Sequence, residues 1–348
     1  MTETIRWGIL ATGKIAHAFA RDLALLPDAE LTAVGARRPE SAAAFVADLA
    51  PELTGQERPP TAHGSYAALV DDPGVDVVYV ASPHGLHHEH VRLALEAGKP
   101  VLCEKALTLN TAQAEDLVAL AREKQLFLME AMWMACHPLV RDLARRVRAG
   151  EFGAPRQLVA DLGWVVDRPE TDRLLAPELG GGALLDMGVY PLTLADLLLG
   201  EPDALDGVAA LSPAGVDLNL VMAARYPSGA VAALTATMTA HSPRTAWLAT
   251  DRGRLDIPAP FHHPELVRWV EYDAAAGAFR EPVQLDPPEP LVGTGLGNEA
   301  AEVMRCLRAG ELESPLVPHA QTLRIMRQMD ALREQIGVTY PGDRPANG

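Results

Sequence analysis

Apolar residues in the first 130 positions form short continuous runs, with longer amphipathic stretches between them. The runs lie at 5–10, 30–36, 75–81, 101–104 and 126–129. Strands of a parallel sheet have this continuous character because both of their faces are covered. Helices are predicted between the runs, and residues 51–63 are predicted to be a loop because they are rich in Pro and Gly. Strands that alternate with helices in this way predict a doubly wound parallel sheet.

The pattern changes after residue 129. Helices are predicted at 137–148, 183–199, 297–309 and 320–336, and alternating segments that predict strands lie at 156–163, 205–211, 216–226, 230–239, 245–250, 253–257 and 266–272. Turn residues such as Pro227-Ser-Gly229 separate the later segments. We therefore predict an α/β protein of two domains. Residues 1–129 form a Rossmann domain, and residues 130–348 form a second α/β domain with an open, mainly antiparallel sheet.

Composition and charge narrow the function classes. The chain has 348 residues and a formal net charge of −16, which argues against nucleic acid or anionic membranes as partners. Three widely spaced cysteines suggest neither a disulfide framework nor a zinc site, and we expect a cytoplasmic protein. No signal peptide is recognised at the N-terminus, and no apolar run is expected to reach the roughly 18 residues that a membrane span needs.

Lys105 is the first candidate for chemistry, because it follows the apolar strand Val101-Leu-Cys-Glu104 directly. The carboxyl ends of strands are where open α/β sheets bind ligands. Glu104 and Lys105 are therefore predicted to lie beside a cofactor, with Lys105 in a catalytic role. The alternative is that Lys105 forms an ordinary surface ion pair.

A dinucleotide turn is predicted after the first strand. The turn places Ala11 at the first glycine position of the dinucleotide fingerprint, and Gly13 at the second, where the backbone approaches a pyrophosphate. The helix that begins there supplies unpaired N–H groups to the anion. The residues assigned to this contact are Ala11, Thr12, Gly13, Lys14 and Ile15.

Arg37 and Arg38 follow the second strand, where NAD sites usually carry an acid for the ribose hydroxyl. A 2′-phosphate gains charge-assisted hydrogen bonds from arginine. The cofactor is therefore predicted to be NADP, with NAD possible if both arginines are only solvated surface charges.

Pro83 and His84 are predicted to form a loop over the nicotinamide, and His87 to begin the next helix. Ser82, Pro83, His84 and His87 are assigned to cofactor binding. Four histidines between residues 84 and 90 also invite a metal site. No carboxylate or cysteine has the spacing that would complete a ligand set, so no metal is predicted.

Asp186 and Tyr190 stand four residues apart on a predicted helix and hence on one face. We expect Tyr190 to exchange a proton with a substrate hydroxyl or carbonyl, with Lys105 either assisting it or acting as the acid. A donor that works near neutrality needs a pKa about 3 below the ordinary value, which is roughly 4 kcal/mol. Asp186 is expected to orient the substrate or the lysine, and three glycines before this helix to let a ligand approach. Trp133 and Trp164 are candidate apolar walls; all four side chains could instead be structural.

The chain resembles the glucose–fructose oxidoreductase / inositol dehydrogenase / MocA superfamily over nearly its whole length. The segments that carry the resemblance are 7–16, 75–83, 97–105, 180–190 and 337–342. Glu130-Ala-Met-Trp133, and a tyrosine at 190 where inositol dehydrogenases carry histidine, resemble the branch of dimeric trans-dihydrodiol dehydrogenases and NADP-linked D-xylose dehydrogenases. One departure is Ala106, which stands where the family has proline after the lysine; we expect the site geometry to survive it.

The resemblance implies an NADP-dependent dehydrogenase or reductase that acts on a sugar or a cyclic vicinal diol. It also implies a homodimer or homotetramer formed through the C-terminal sheet. A regulator that keeps the fold and binds NADP without turnover is the alternative; Lys105, Asp186 and Tyr190 favour the enzyme.

Overall fold

The computed structural model of the chain describes residues 3–53, 56 and 58–343. Positions 54, 55 and 57 of the predicted 51–63 loop lie outside the described residues. The helices are α1 Lys14–Leu23, α2 Pro39–Leu49, α3 Tyr66–Val70, α4 His87–Glu96, α5 Thr111–Glu123, α6 Trp133–Cys136, α7 Pro138–Arg148, α8 Val189–Leu199, α9 Leu296–Ala309 and α10 His319–Ile336. The strands are β1 Ile5–Leu10, β2 Ala29–Gly35, β3 Thr61–His63, β4 Val77–Val80, β5 Val101–Glu104, β6 Leu128–Ala131, β7 Pro155–Gly163, β8 Ala204–Leu211, β9 Asp217–Arg225, β10 Val231–Thr237, β11 Ala246–Thr250, β12 Gly253–Ile257, β13 Val267–Asp273, β14 Ala278–Phe279 and β15 Val283–Leu285.

The first sheet has six parallel strands in the order β3-β2-β1-β4-β5-β6. This order, with helices between successive strands, confirms the predicted doubly wound parallel sheet. Strand β3 was not predicted, because its Thr-Ala-His sequence is too short and too exposed to show a pattern. Phe19 of α1, Trp7 of β1 and Tyr79 of β4 are fully buried, and the rings of Phe19 and Tyr79 stack at a centroid distance of 3.9 Å.

The second sheet is mixed and mainly antiparallel. Its strand order is β14-β13-β12-β11-β7-β10-β9-β8, with β15 also paired to β13, and only β7 and β10 run parallel to each other. The burial of β9 alternates strictly from Leu220 to Arg225 because one face packs on helices and the other is exposed. The open, mainly antiparallel sheet is therefore confirmed.

The chain divides into two units whose boundaries differ from the predicted domains. One unit contains residues 1–136 and 291–323, and the other contains residues 137–290 and 324–348. Helix α9, which the sequence assigned to the second domain, lies in the first unit. There the carboxylate of Asp22 in α1 accepts hydrogen bonds from the N–H groups of Thr294 and Leu296, at 2.8 and 3.0 Å. Asp22 therefore caps the N-terminus of α9, although the two are separated by more than 270 residues in the sequence.

One segment corrects the expectation about apolar length. Residues 177–199 are long and apolar enough to cross a membrane, with a mean hydropathy of 1.4 over the most apolar stretch, but 94% of that stretch is buried within the protein. It is a core segment of the second unit.

Candidate active site

Four chemically interesting turns lie at one edge of the first sheet. Strands β1, β2, β4 and β5 are parallel neighbours, so their carboxyl ends share that edge. The turn at Gly13, the pair Arg37-Arg38, the loop from Ser82 to His84, and Lys105 each follow one of these ends. The sequence therefore brings the predicted cofactor residues of this unit to one edge of the sheet.

The turn after β1 fits the pyrophosphate of a dinucleotide. Ala11 has a φ of 79°, the left-handed conformation for which the fingerprint normally uses glycine. Gly13 is exposed, and a Cβ added to it would meet only the carbonyl of Ala81, at 3.9 Å. No side chain caps the N-terminus of α1 among the described residues, and its first turn holds no acid. The N–H groups there are suited to an anion.

Arg37 and Arg38 fit a 2′-phosphate. Both side chains are exposed, and Arg38 lies 3.5 Å from Glu40, the first acid beyond β2. The positive charge of Arg37 acts on two neighbouring groups. Burial raises the pKa of Tyr66, and the charge of Arg37 opposes that rise. Burial lowers the pKa of His90, and the charge of Arg37 lowers it further. The edge at β2 therefore presents positive charge where an NAD site presents a carboxylate.

The histidine loop holds the backbone beside Lys105. His84 donates from Nε2 to the carbonyl of Lys105 at 3.1 Å, and Nδ1 of His87 lies 2.9 Å from the carbonyl of Ala106. The other ring nitrogen of His87 lies 2.7 Å from the carbonyl of Ser82. Burial lowers the pKa of His87 to about 3, so the neutral ring donates to one of these two carbonyls.

His87 thus links the backbone after β4 to the backbone after β5, a role that the sequence did not predict. The Lys105–Ala106 peptide is cis, although alanine replaces the family's proline. No group of three or more potential metal ligands occurs in the part of the chain that the structure describes.

Two buried carboxyl groups, those of Glu104 and Glu130, form hydrogen bonds in the segment around Lys105. Tyr79 donates its hydroxyl proton to Glu104. Glu130 accepts from the N–H of Leu107 at 3.0 Å and from the hydroxyl of Thr322 at 2.8 Å. Burial raises the pKa of Glu130, and the charge of Lys105 acts against this rise. The support from Glu130 was not predicted, although the sequence shows an acid inside the apolar stretch 126–135.

Asp186 and Tyr190 lie in the second unit, at the junction of two helix types. Residues Leu184–Gly188 form a π-helical turn, which α8 continues from Val189. Such turns occur frequently at functional sites. Arg173 lies 3.4 Å from the carboxylate of Asp186, and the ring of His262 lies 4.8 Å from that of Tyr190. Arg173 and His262 were not predicted as site residues, because both stand in irregular loops that only the folded chain brings to this helix.

The glycines before this helix serve internal packing. A Cβ on Gly181 would lie 2.8 to 2.9 Å from the backbone of residues 174–176, and Gly182 has a φ of 127° and packs against Asp217. The expectation that these glycines make room for a ligand is therefore corrected, since the protein itself fills that space.

The two candidate tryptophans lie in different units. Trp133 is half-buried in α6, and a Cβ on Gly295 would lie 3.2 Å from its ring, so Trp133 packs on the start of α9. Trp164 is half-buried just after β7, and its backbone N–H donates to the carbonyl of Thr237 at 3.1 Å.

A parallel sheet with an open anion turn, a basic pair and a lysine at one edge defines a nicotinamide-dinucleotide-dependent oxidoreductase. Residues 5–132 match the oxidoreductase family with an NAD-binding Rossmann fold, and residues 140–256 match the GFO/IDH/MocA C-terminal domain. The chain belongs to the GFO/IDH/MocA oxidoreductase family. The family and the enzyme class predicted from the sequence are confirmed.

Relatives cover nearly the whole chain. A D-xylose 1-dehydrogenase (NADP(+)) of Hypocrea jecorina is 36% identical, over 97% of this chain and 93% of its own length. The trans-1,2-dihydrobenzene-1,2-diol dehydrogenase of Homo sapiens is 33% identical, over 98% and 99%. Among solved structures, the 3-ketoreductase KijD10 of Actinomadura kijaniata, in complex with NADP and TDP-benzene, has a TM-score of 0.81 at 29% identity and covers 97% of this chain and 99% of its own.

Proposed function

We propose that this chain is an NADP-dependent oxidoreductase that transfers a hydride between nicotinamide and the carbinol or carbonyl carbon of a sugar or cyclic vicinal diol. The observation that carries the proposal is the carboxyl edge of the first sheet, where the open Gly13 turn, the two arginines and Lys105 follow the ends of parallel strands. The relatives named above supply the two substrate classes.

In this proposal the protein holds the cofactor from one sheet edge. The turn 11–15 and the N-terminus of α1 bind the pyrophosphate, and Arg37 and Arg38 bind the 2′-phosphate. The loop Ser82–His84 and the pair Glu104-Lys105 lie beside the nicotinamide, which when bound supplies or accepts the hydride. His87 acts indirectly, because it fixes the backbone on both sides of this place.

Lys105, Asp186 and Tyr190 serve the same reaction in this proposal. In the reducing direction Tyr190 gives its proton to the substrate oxygen and recovers a proton from water. The alternative acid in this proposal is the ammonium of Lys105, which then gives the proton itself. Asp186, which Arg173 holds at 3.4 Å, accepts a hydrogen bond from a substrate hydroxyl. Trp133 and Trp164 provide apolar surface for the substrate.

The test is turnover on a panel of sugars and cyclic diols, followed by NADPH absorbance. Lys105→Met and Tyr190→Phe are expected to lose at least roughly 10²-fold in kcat, the scale of general acid–base catalysis. Lys124→Met and Tyr272→Phe are matched controls, because both side chains are exposed and lie outside the site. Near-wild-type turnover of both test variants would refute the mechanism, and a wild-type chain inactive on the whole panel would refute the function.

The exposed face of the second sheet supports the proposal of a homodimer or homotetramer. Val208 and Val221 lie opposite each other on β8 and β9 and are 76% and 56% exposed. The same face continues through Ala233 and Val159 to Trp247 on β11. Thr235 and Asp161 lie on the same face. Exposed apolar side chains grouped on one face, with polar residues among them, are typical of interfaces.

A Val221→Glu substitution is expected to lower the molar mass measured by light scattering, because it places a charge in the apolar face. Leu25→Glu is the control, since Leu25 is 61% exposed and lies in the first unit. An unchanged mass for Val221→Glu would refute this interface. We also propose a cytoplasmic location, which is supported by three buried cysteines that form no disulfide.

A further inference from the structure

The loop at Gly181 and Gly182, just before the helix that carries Asp186, packs against other parts of the same chain. Gly181 packs against the backbone of residues 174–176, and a Cβ on Gly182 would meet Asp217 and, at 3.2 Å, the hydroxyl of Tyr340. The loop is therefore fixed from two sides. Its position sets where the helix begins.

Asp217 caps that beginning from the neighbouring sheet. It is the first residue of β9 and is fully buried. Its Oδ2 accepts from the N–H of Leu184 at 2.6 Å. Its Oδ1 has no hydrogen-bond partner within the described ranges. A carboxylate at a helix N-terminus satisfies N–H groups and interacts favourably with the helix dipole.

Tyr340 fastens the same loop from the C-terminal part of the chain. Its hydroxyl donates to the carbonyl of Gly181 at 2.6 Å. The guanidinium of Arg333 lies 4.9 Å over the Tyr340 ring and pairs with Asp343 at 2.5 Å and Asp330 at 2.6 Å. The tyrosine is thus held in place by its own charged support.

We propose that Asp217 is a positioning residue for the reaction, because it fixes the turn from which Asp186 and Tyr190 project. It acts through the N–H group of Leu184 and does not touch the substrate. This inference rests on the proposed function, since it assumes that Asp186 and Tyr190 take part in catalysis. Small displacements of reacting groups are costly, and a shift of about 1 Å can lower kcat by roughly 10²-fold.

The charge of Asp217 gives the inference a pH signature. Burial raises the pKa of Asp217 to about 6, whereas its backbone hydrogen bonds and the charge of Arg333 oppose the rise. Among the described residues, Tyr340 and Arg333 face the carboxyl group, with Asp330 and Asp343 behind the arginine. Protonation of Asp217 below about pH 6 removes the charge that holds the helix N-terminus, so kcat is expected to fall on the acid side.

The experiment compares Asp217→Ala and Asp217→Asn with Asp196→Asn. Asp196 is a buried carboxylate further along α8, paired with Arg324 at 2.6 Å, so its loss also costs stability but lies away from the first turn. The kcat of each variant, its KM for substrate and for NADPH, its Tm and its pH profile are measured. Asp217→Ala is expected to lose roughly 10- to 100-fold in kcat with the KM for NADPH within twofold. Asp217→Asn retains an acceptor oxygen, so it is expected to lose less and to lack the acid limb near pH 6.

The outcomes separate the two claims. Asp217→Ala with a lowered Tm and a kcat within twofold of wild type, as expected for Asp196→Asn, overturns the positioning role alone. If Asp217→Ala does not fold, the pH profile of Asp217→Asn decides, and an unchanged acid limb overturns the role. A wild-type chain without turnover on the whole panel overturns the proposed function and this inference with it.

Discussion

His137 makes the stability of the second unit depend on pH. Its imidazole is 1% exposed, and neither ring nitrogen has a hydrogen-bond partner in the described part of the chain. Burial, followed by the charge of His263, lowers the pKa of His137 to about 4. The unfolded chain, where a histidine titrates near 6.5, therefore binds this proton more readily than the folded chain does.

The sign and size of the effect follow from that difference. Stability is complete above pH 6.5 and is lost as the pH falls toward 4, because the unfolded state takes up the proton first. At pH 5 nearly all unfolded chains and only about a tenth of folded ones carry it. The linkage relation then gives a loss of about 2 kcal/mol between pH 8 and pH 5 for this one residue.

The assay is urea unfolding of the second unit at pH 8 and pH 5, for the wild type and for His137→Leu. The difference in unfolding free energy between the two pH values is expected to shrink by about 2 kcal/mol in the variant. His241→Leu is the control, because that side chain is exposed. If the pH difference of His137→Leu stays within about 0.5 kcal/mol of the wild-type value, the reasoning from burial is refuted.

Three further predictions follow. Glu299→Met is expected to raise the unfolding free energy by about 1–3 kcal/mol in chemical denaturation. The carboxyl group of Glu299 is fully buried, neither of its oxygens has a hydrogen-bond partner within the described residues, and burial raises its pKa well above the ordinary value. An unchanged or lower unfolding free energy contradicts this. Replacing Arg37 and Arg38 with alanine is expected to lower the preference for NADP over NAD roughly 10- to 100-fold in kcat/KM, because charge-assisted bonds to the 2′-phosphate are lost; an unchanged ratio refutes their role. Arg173→Met is expected to raise the substrate KM while the KM for NADPH stays the same, because Asp186 loses the ion pair that orients it; a change in the KM for NADPH alone contradicts this.

The sequence predicts the elements of the first sheet well, because buried parallel strands and the helices between them have separate hydrophobic periods. It does not predict that α9 belongs to the first unit. That placement depends on hydrogen bonds to Asp22, which the local sequence shows only as a polar residue of α1. Nor does alternation reveal the strand order that places β7 between β10 and β11.

The site is predictable to the extent that its residues follow strand ends, as Gly13, Arg37 and Lys105 do. Arg173 and His262 escape prediction because irregular loops carry no period. The contacts of His87 with the backbone escape prediction for a related reason. A histidine at the start of a helix beside a cofactor loop reads as a ligand-binding group, and only the folded backbone shows that both of its nitrogens face carbonyl groups.

The segments around Lys105 and Asp186 are held in the same way, by a buried carboxyl group that accepts a backbone N–H. Glu130 receives the N–H of Leu107, just beyond Lys105, and Asp217 receives the N–H of Leu184, just before Asp186. In both cases a buried carboxyl group on a different strand holds the backbone next to a reactive side chain, although burial raises the pKa of each acid. A local cap fixes only the conformation of its own turn, whereas a cap from a neighbouring strand also fixes the position of that turn relative to the sheet. Burying these two acids has a cost in desolvation, and the proposed function gives that cost a purpose, namely the accurate placement of Lys105 and Asp186.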